Sequence, residues 1–273
     1  MKRIFNSLVS SLLTHPRLRR RLVRELRERY YPELDVSVPL GHGLRAPLSL
    51  PGAAGAFSHI FLQDEYLGAF SSGNLPSRWI DLGCHSGYFS LYLLWLHRKR
   101  NATQAVQALL VDADPDSLIS VPQLIKLNRL DEQLTFAHGA IARGSGDVCF
   151  TPQEHMQSAL ADHGKVTDQT IRVEILQPAA ILECFPPPYD LIKADIEGAE
   201  YDLLLDYDEV LRHTRQLIVE WHSWHPGGGG KEQIEALARE RGFHRLADIV
   251  LVNRLTRAGA PAECGVILFQ RSA

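Results

Sequence analysis

The sequence lacks the features that mark several large classes of protein. None of its four cysteines belongs to a C-x-x-C pair, which argues against a zinc site or a disulfide framework and for a reducing compartment, the cytoplasm. No run of about 18 or more apolar residues occurs, so we expect no transmembrane helix and no stable membrane insertion. The formal net charge is only −3 at pH 7, which gives the chain no general attraction to nucleic acid.

The 273 residues are enough for one large domain or for a domain with an appendage. Residues 1–34 are rich in arginine and carry leucines at helical spacing, interrupted by His15-Pro16. They resemble a signal peptide only superficially, because polar residues break the apolar core and no small-residue cleavage site follows. We therefore predict a helical or irregular appendage over 1–75 and a main domain over 76–273. The appendage is interpreted as a cap with its arginines in water or, alternatively, as a lid, a contact with an anionic surface or a homodimerisation arm.

The most informative stretch is residues 77–96. Residues 79–82 predict a short buried strand, residues 83–87 a tight glycine turn, and the residues from Tyr88 onward an apolar helix. A strand that turns directly into a helix brings backbone N–H groups and a helix N-terminus to one point. Asp81 lies near the carboxyl end of the strand, where open α/β sheets bind their ligands.

This turn does not fit a dinucleotide. The G-x-G-x-x-G fingerprint needs a glycine where this chain has His85, and no third glycine follows. A carboxylate in the strand would repel a pyrophosphate, whereas it suits the ammonium and sulfonium groups of S-adenosylmethionine. Asp112 ends the next predicted strand and is the expected acceptor for two ribose hydroxyls. The alternatives are an ordinary turn without a ligand and a solvated Asp112.

The rest of the chain alternates strands and helices, which predicts an α/β fold with an antiparallel end. GDVCF and QTIRVEIL are interpreted as two strands of a hairpin-like insertion, where variation in substrate contacts is tolerated. The further strands are predicted at residues 108–111, 133–137, 189–194, 216–220, 244–252 and 265–270.

Six blocks of the sequence resemble the FkbM family of S-adenosylmethionine-dependent methyltransferases. The blocks are IDLGCHSGYFSLYL, VDADPDSL, LIKLNRL, HGAIA, DLIKADIEGAEYDLL and LIVEWH. The resemblance implies a Rossmann-like class I methyltransferase with a seven-stranded, mostly parallel sheet and helices on both faces. It also implies methylation, usually of an oxygen, on small molecules or sugars. Two departures are Cys84-His85, where Ala-Asn is usual, and Gln177-Pro178, where an aspartate is usual.

The glycine turn and the ends of the first four strands of the main domain form the predicted site for S-adenosyl-L-methionine. The predicted cofactor-binding residues are Asp81, Gly83, His85, Ser86, Gly87, Asp112, Ala113, Gly139, Ala140 and Asp195.

The predicted catalytic residues are His222, Asp195 and Glu197. A neutral alcohol loses its proton as it is methylated, and a placed base typically contributes about 10²–10⁴-fold. We predict His222 as this base, because its unperturbed pKa is near neutrality, and Asp195 as its orienter or as the acceptor for the substrate hydroxyl. The alternatives are an ion pair between Lys193 and Asp195, a helix-capping Glu197, a Glu220 that accepts backbone N–H groups and a structural His222.

A metal is not part of this prediction. Carboxylates suit Mg²⁺, and Glu220 and His225 lie near the candidate acids, but no spacing rule supports a site.

The predicted function is O-methylation of a small-molecule or sugar hydroxyl in natural product biosynthesis. The alternatives are N-methylation, transfer or cyclisation of the aminocarboxypropyl arm of the cofactor, and a non-catalytic cofactor-binding protein. Methylation of nucleic acid is disfavoured, because no N-P-P-Y-type motif follows the fourth strand and the basic residues are concentrated in the first 34.

Overall fold

The structure is a computed structural model, and it describes residues 34, 36–48, 50, 52–71, 74–151, 159–160, 170–222, 230–255 and 261–272. The predicted helices before residue 34 and His225 lie outside the described residues, so the predicted homodimerisation arm stays a prediction. Among the helices that are described, none has the length and apolarity needed to cross a membrane.

The described strands form one large sheet and two small ones. They are β1 (Ser37–Gly41), β2 (Leu44–Pro47), β3 (Arg78–Leu82), β4 (Gln107–Asp112), β5 (Leu134–His138), β6 (Asp147–Thr151), β7 (Ala159–Leu160), β8 (Ile171–Glu174), β9 (Tyr189–Ala194), β10 (Thr214–His222), β11 (Phe243–Leu255) and β12 (Pro261–Arg271).

The large sheet has seven strands in the order β11-β12-β10-β9-β3-β4-β5. Strand β12 is antiparallel to both of its neighbours, and the other adjacent pairs are parallel. The predicted Rossmann-like α/β fold, with a seven-stranded, mostly parallel sheet and an antiparallel end, is therefore confirmed.

Helices cover both faces of this sheet. They are α1 (Ala53–Phe57), which continues as a π-helical turn (Ser58–Leu62), α2 (Leu67–Phe70), α3 (Tyr88–Lys99), α4 (Ser117–Asn128), α5 (Pro178–Cys184), α6 (Glu200–Asp206), α7 (Asp208–Leu211) and α8 (Lys231–Glu240). Successive strand residues point to opposite faces. Trp79 accordingly packs with α3 and α4 in one buried cluster, and Ile80 packs with α6 and α8 in the other.

The described part of the segment before residue 76 shares the first of these clusters. Leu44 of β2, Phe57 of α1 and Tyr66 are buried together with Phe89 and Leu91 of α3. The boundary predicted near residue 75 is therefore not a break in the hydrophobic core.

The predicted insertion is a small antiparallel sheet, with β6 between β7 and β8. Phe150 of β6 and Val173 of β8 form a third cluster with Ala140, which follows β5. This contact places the insertion beside the carboxyl end of the large sheet.

The bounds of several predicted elements differ from the structure. Strand β10 extends to His222, whereas the sequence predicted its end at Glu220. Residues 200–211 form two short helices, α6 and α7, which are divided at Tyr207. At this division, the buried Tyr207 hydroxyl donates a hydrogen bond to the Ala142 carbonyl oxygen at 3.2 Å.

Candidate active site

A cavity of about 430 Å³ lies at the carboxyl ends of β3, β4, β5, β9 and β10. Residues from α1, its π-helical turn and the approach to α2 close one side of it. The lining residues used below are His59, Glu65, Tyr66, Gly83, Cys84, His85, Asp112, Ala113, Gly139, Ala140, Phe150, Lys193, Asp195, Glu197 and Glu220.

The glycine turn after β3 is fixed against the end of β4. The N–H groups of Gly83 and Cys84 donate to the Val111 carbonyl oxygen at 2.9 and 3.1 Å. Gly83 has φ +70°, and a Cβ atom there would lie 1.7 Å from the Asp195 carbonyl oxygen. Only glycine therefore permits the turn after β3 to touch the loop after β9.

Asp112 holds the same turn through its side chain. Its carboxylate accepts the N–H of His85 at 2.6 Å and the N–H of Asp114 at 2.8 Å. Burial raises the pKa of Asp112 to about 6, although these two hydrogen bonds oppose the shift. Burial lowers the pKa of His85, whose imidazole bonds Ser86 Oγ at 3.1 Å, so His85 is neutral at pH 7.

The end of β5 forms the wall opposite the turn. The Gly139 N–H donates to the Asp112 carbonyl oxygen at 2.9 Å, which joins this wall to β4. Ala140 and Phe150 make the wall apolar. A flat apolar wall next to an acidic strand end suits a nucleoside, whose base is apolar on its faces and whose ribose carries hydroxyls.

Asp81 is not among the residues that line the cavity, which argues against its predicted contact with the cofactor. Its side chain is 0% exposed and accepts a hydrogen bond from Ser90 Oγ at 2.8 Å. Lys193 Nζ lies 3.5 Å from Asp81 Oδ1 and 3.4 Å from Asp195 Oδ2. Alternation along β3 turns Asp81 into the layer below the turn, so it faces Lys193 and not the ligand space.

The loop after β9 is held by Glu200. This buried carboxylate accepts the N–H groups of Ile196 at 3.0 Å and Gly198 at 2.9 Å. Between them Glu197 adopts φ +50°, a conformation that is uncommon for a residue with a Cβ atom and that tends to occur at functional sites. The carboxylate that holds this loop is thus Glu200, and Glu197 lines the cavity.

His222 is also not among the residues that line the cavity, which argues against its predicted role as the base. It is 1% exposed, and its Nδ1 lies 3.1 Å from Glu200 Oε1. Its Nε2 lies 3.7 Å from Glu197 Oε2 and 3.9 Å from Glu220 Oε1. Burial lowers the pKa of His222, but Glu200, Glu197 and Glu220 together raise it to about 10. A histidine that is already protonated at pH 7 cannot take a proton.

Two further residues at the cavity had no predicted site role. Glu220 lies in β10, and its pKa is raised well above the usual value by burial and by the nearby Asp195 carboxylate, against the effect of His222. Tyr66 is 2% exposed, and its ring meets the Phe89 ring edge-on, with 4.9 Å between the ring centres.

The other predicted site residues fall into two groups, those that line the cavity and those that do not. Those at the cavity are Gly83, His85, Asp112, Ala113, Gly139, Ala140, Asp195 and Glu197. Ser86 and Gly87 stand behind the turn, where a Cβ atom on Gly87 would lie 3.1 Å from Leu110 Cδ2. They pack the turn from behind, and their predicted contact with the cofactor stays a prediction.

The sequence matches one family model over most of this region. A model described as the methyltransferase FkbM domain matches residues 81–245, which is more than half of the chain. The chain belongs to the FkbM methyltransferase family. Methyltransferase sdnD of Sordaria araneosa is 26% identical over 215 residues, which are 66% of this chain and 79% of that protein.

Solved structures with a similar arrangement are more distant. M. jannaschii TYW2 in complex with AdoMet has a TM-score of 0.43 and 13% identity, covering 87% of this chain and 86% of that chain. Cofactor-bound Rv0187 from MTB has a TM-score of 0.41 and 13% identity, covering 77% of this chain and 80% of that chain. The strand order of this FkbM methyltransferase establishes its fold independently of them.

The cofactor of this FkbM methyltransferase is S-adenosylmethionine. The residues at the cavity fit that group. Gly83 leaves room where a Cβ atom would collide with the opposite loop, and Asp112 supplies carboxylate oxygens for ribose hydroxyls. A volume of about 430 Å³ lies within the usual range for a small-molecule site.

Three side chains of the site are also close enough to share a cation. Ligand atoms of Asp195, Glu220 and His222 all lie within 4.8 Å of one another. The ammonium of Lys193 lies 3.4 Å from Asp195 and His222 is protonated, so this group already contains positive charge. An acidic cluster of this kind does not identify a metal site.

The FkbM methyltransferase is expected to lose stability as the pH rises from about 7 to 10. Because the pKa of His222 is about 10 when folded and near 6.5 when unfolded, the folded chain binds more protons in that range. The contribution of His222 is complete below the unfolded pKa and is lost as the pH rises through about 10. We expect the Glu200→Gln variant, which lowers the folded pKa, to show a shallower decline. Urea unfolding across this pH range measures the decline, on the order of a few kcal/mol since one pKa unit is about 1.4 kcal/mol.

A matched variant separates this from general histidine titration. His213→Gln changes an exposed histidine that directly precedes β10. We expect the free energy of unfolding of this variant to decline with pH as it does in the wild type. Equal slopes for all three proteins would show that His222 is not protonated in the folded chain.

Proposed function

We propose that the protein transfers the methyl group of S-adenosylmethionine to a hydroxyl group of a small molecule or sugar in natural product biosynthesis. The observation that carries this proposal is the Glu220 carboxyl group at the cavity. Burial and the nearby Asp195 carboxylate raise its pKa, which makes it a stronger proton acceptor than an ordinary carboxylate. An alcohol needs such a base, because it must lose a proton as it is methylated.

The bound cofactor supplies an electrophilic methyl group, so the protein has to align the acceptor, exclude water and remove a proton. Glu220 is the proposed proton acceptor for the substrate hydroxyl. Protonated His222 stands 3.9 Å behind it and favours its ionised form. His222 is therefore a positioning residue in this mechanism, and it acts through Glu220 and Glu197.

Tyr66 supports the proposed binding of a hydroxylated acceptor. Its side chain is almost wholly buried and lines the cavity. A tyrosine hydroxyl can both donate and accept a hydrogen bond, so it suits a hydroxylated ligand. An acceptor hydroxyl between Tyr66 and Glu220 would provide a partner for both.

The residues that line the cavity also indicate which class of substrate the protein binds. Among the described lining residues Lys193 is the only lysine or arginine, whereas proteins that bind nucleic acid line their sites with many such residues. A small-molecule acceptor is therefore the proposed substrate. The four cysteines of the chain are free, which supports a reducing compartment, the proposed cytoplasm.

Product analysis with labelled cofactor tests the proposal. The protein is incubated with S-adenosylmethionine carrying ¹³C in the methyl group and with a panel of hydroxylated metabolites, some of which also carry amines. We expect a product heavier by one labelled methyl group, with the chemical shift of a methoxy carbon. A methyl group on nitrogen, a product containing the aminocarboxypropyl arm, or cofactor binding without turnover over the whole panel would each favour the corresponding alternative function.

A further inference from the structure

The cavity contains one deeply buried ammonium group. Lys193 is 3% exposed, and its Nζ donates to the Gly83 carbonyl oxygen at 2.8 Å. It lies 6.0 Å from the centre of the Phe89 ring. These contacts fix the ammonium group below the glycine turn, at the junction of β3 and β9.

Two carboxylates face this ammonium group from different sides. Asp81 lies at 3.5 Å in the interior and Asp195 at 3.4 Å on the cavity side. Burial lowers the pKa of Lys193, but Asp195, Asp81 and Glu220 together raise it above its usual value, so the group stays charged. Because Asp81 is wholly buried and Asp195 lines the cavity, the ligand meets Lys193 and Asp195 as an adjacent positive and negative charge.

The surroundings of this pair are acidic. Asp195, Glu197 and Glu220 line the same end of the cavity, and they would repel any ligand carboxylate that lacked a cation beside it. His85 does not supply one, because burial lowers its pKa. Lys193 is the one lysine or arginine among the lining residues that the structure describes.

We propose that Lys193 binds the carboxylate of the cofactor's amino-acid arm, while Asp195 receives the ammonium group of the same arm. The pair matches a zwitterion, in which a carboxylate and an ammonium group are held on one carbon atom. Asp81 then has the role of holding Lys193 in place from the interior. The inference rests on S-adenosylmethionine as the cofactor, but not on the identity of the methyl acceptor.

Calorimetric titration with three ligands tests this role without any acceptor. The ligands are S-adenosylhomocysteine, its decarboxylated analogue S-adenosyl-3-thiopropylamine, and methylthioadenosine, which lacks the whole arm. We expect the wild type to bind S-adenosylhomocysteine about 10- to 100-fold more tightly than the decarboxylated analogue, as one charged hydrogen bond provides. In Lys193→Met this preference disappears, and the affinity for methylthioadenosine stays at the wild-type value.

Other results would overturn the inference. A preference that persists in Lys193→Met places the carboxylate elsewhere, and an equal loss of affinity for all three ligands makes Lys193 only a structural cation. Because the single variant leaves Asp81 buried without its cation, the double variant Asp81→Asn/Lys193→Met is measured beside it, and the same loss of preference is expected there. A wild type that binds none of the three ligands would overturn the cofactor and this inference together, whereas an N-methylated product would overturn only the proposed O-methylation.

Discussion

Replacing Glu220 by glutamine is expected to lower kcat by about 10²–10⁴-fold, the range over which a placed base contributes. The amide keeps the shape of the side chain but cannot accept the proton of the substrate hydroxyl. Because Glu220 is not among the groups proposed to hold the cofactor, the Kd for S-adenosylhomocysteine should stay the same. Steady-state rates with the acceptor found by product analysis, and calorimetry with S-adenosylhomocysteine, measure the two quantities.

The pH dependence of kcat gives a second measurement of the same group. Burial and Asp195 raise the pKa of Glu220, so the wild-type rate should fall as the pH decreases through that raised pKa. The residual rate of the Glu220→Gln variant should not show this fall at low pH. Glu240→Gln, on the exposed face of α8, is the matched control and should keep the wild-type rate and profile. A Glu220→Gln variant with wild-type kcat would remove Glu220 from the mechanism.

The large sheet could be predicted from the sequence because each of its strands is a separate apolar run. Residues 189–194 have the predicted bounds, and residues 78–82 differ from the prediction by one residue. Parallel strands buried on both faces give such runs, with turn residues between them. The end of β10 was less well defined, because Trp221 continues the apolar run that Glu220 interrupts.

The roles of the charged residues could not be predicted to the same degree. Asp81 and Lys193 are in neighbouring strands but far apart in sequence, and only the register between β3 and β9 brings them together. The protonation of His222 depends on Glu200, which lies 22 residues earlier in the sequence. A histidine two residues after a glutamate is compatible with a base or with a buried cation, and the difference is set by the number of carboxylates that surround it.

Tyr66 illustrates a similar limit from another part of the chain. Its spacing with Ile60 and Phe61 is typical of packing, and its ring does pack against Phe89. The position of its hydroxyl group at the cavity follows from how the π-helical turn and α2 lie over the sheet. Local periodicity does not determine that placement.

Gly83→Ala is expected to have the other large effect. At φ +70° a side chain costs about 1–2 kcal/mol, and the added Cβ would lie 1.7 Å from the Asp195 carbonyl oxygen, which no real contact allows. Overpacking of this kind adds about 1–3 kcal/mol, so we expect the free energy of unfolding to fall by roughly 2–5 kcal/mol. The loop with Asp195 and Glu197 must move away, and a displacement of about 1 Å is enough to lower kcat by about 10²-fold. Urea unfolding and calorimetry with S-adenosylhomocysteine measure the losses of stability and of cofactor affinity.

A second glycine distinguishes the collision from the backbone conformation. Gly144 has φ +85° with nothing within 4 Å of the position of its Cβ, so Gly144→Ala carries the conformational cost without a collision. We expect it to lose about 1–2 kcal/mol of stability and to bind S-adenosylhomocysteine as the wild type does. If Gly83→Ala lost no more stability than Gly144→Ala and kept its affinity, the close approach of the two loops would not be what holds the cofactor site together. The expected difference between these two variants arises because the turn after β3 and the loop after β9 touch through their backbones, with no side chain between them.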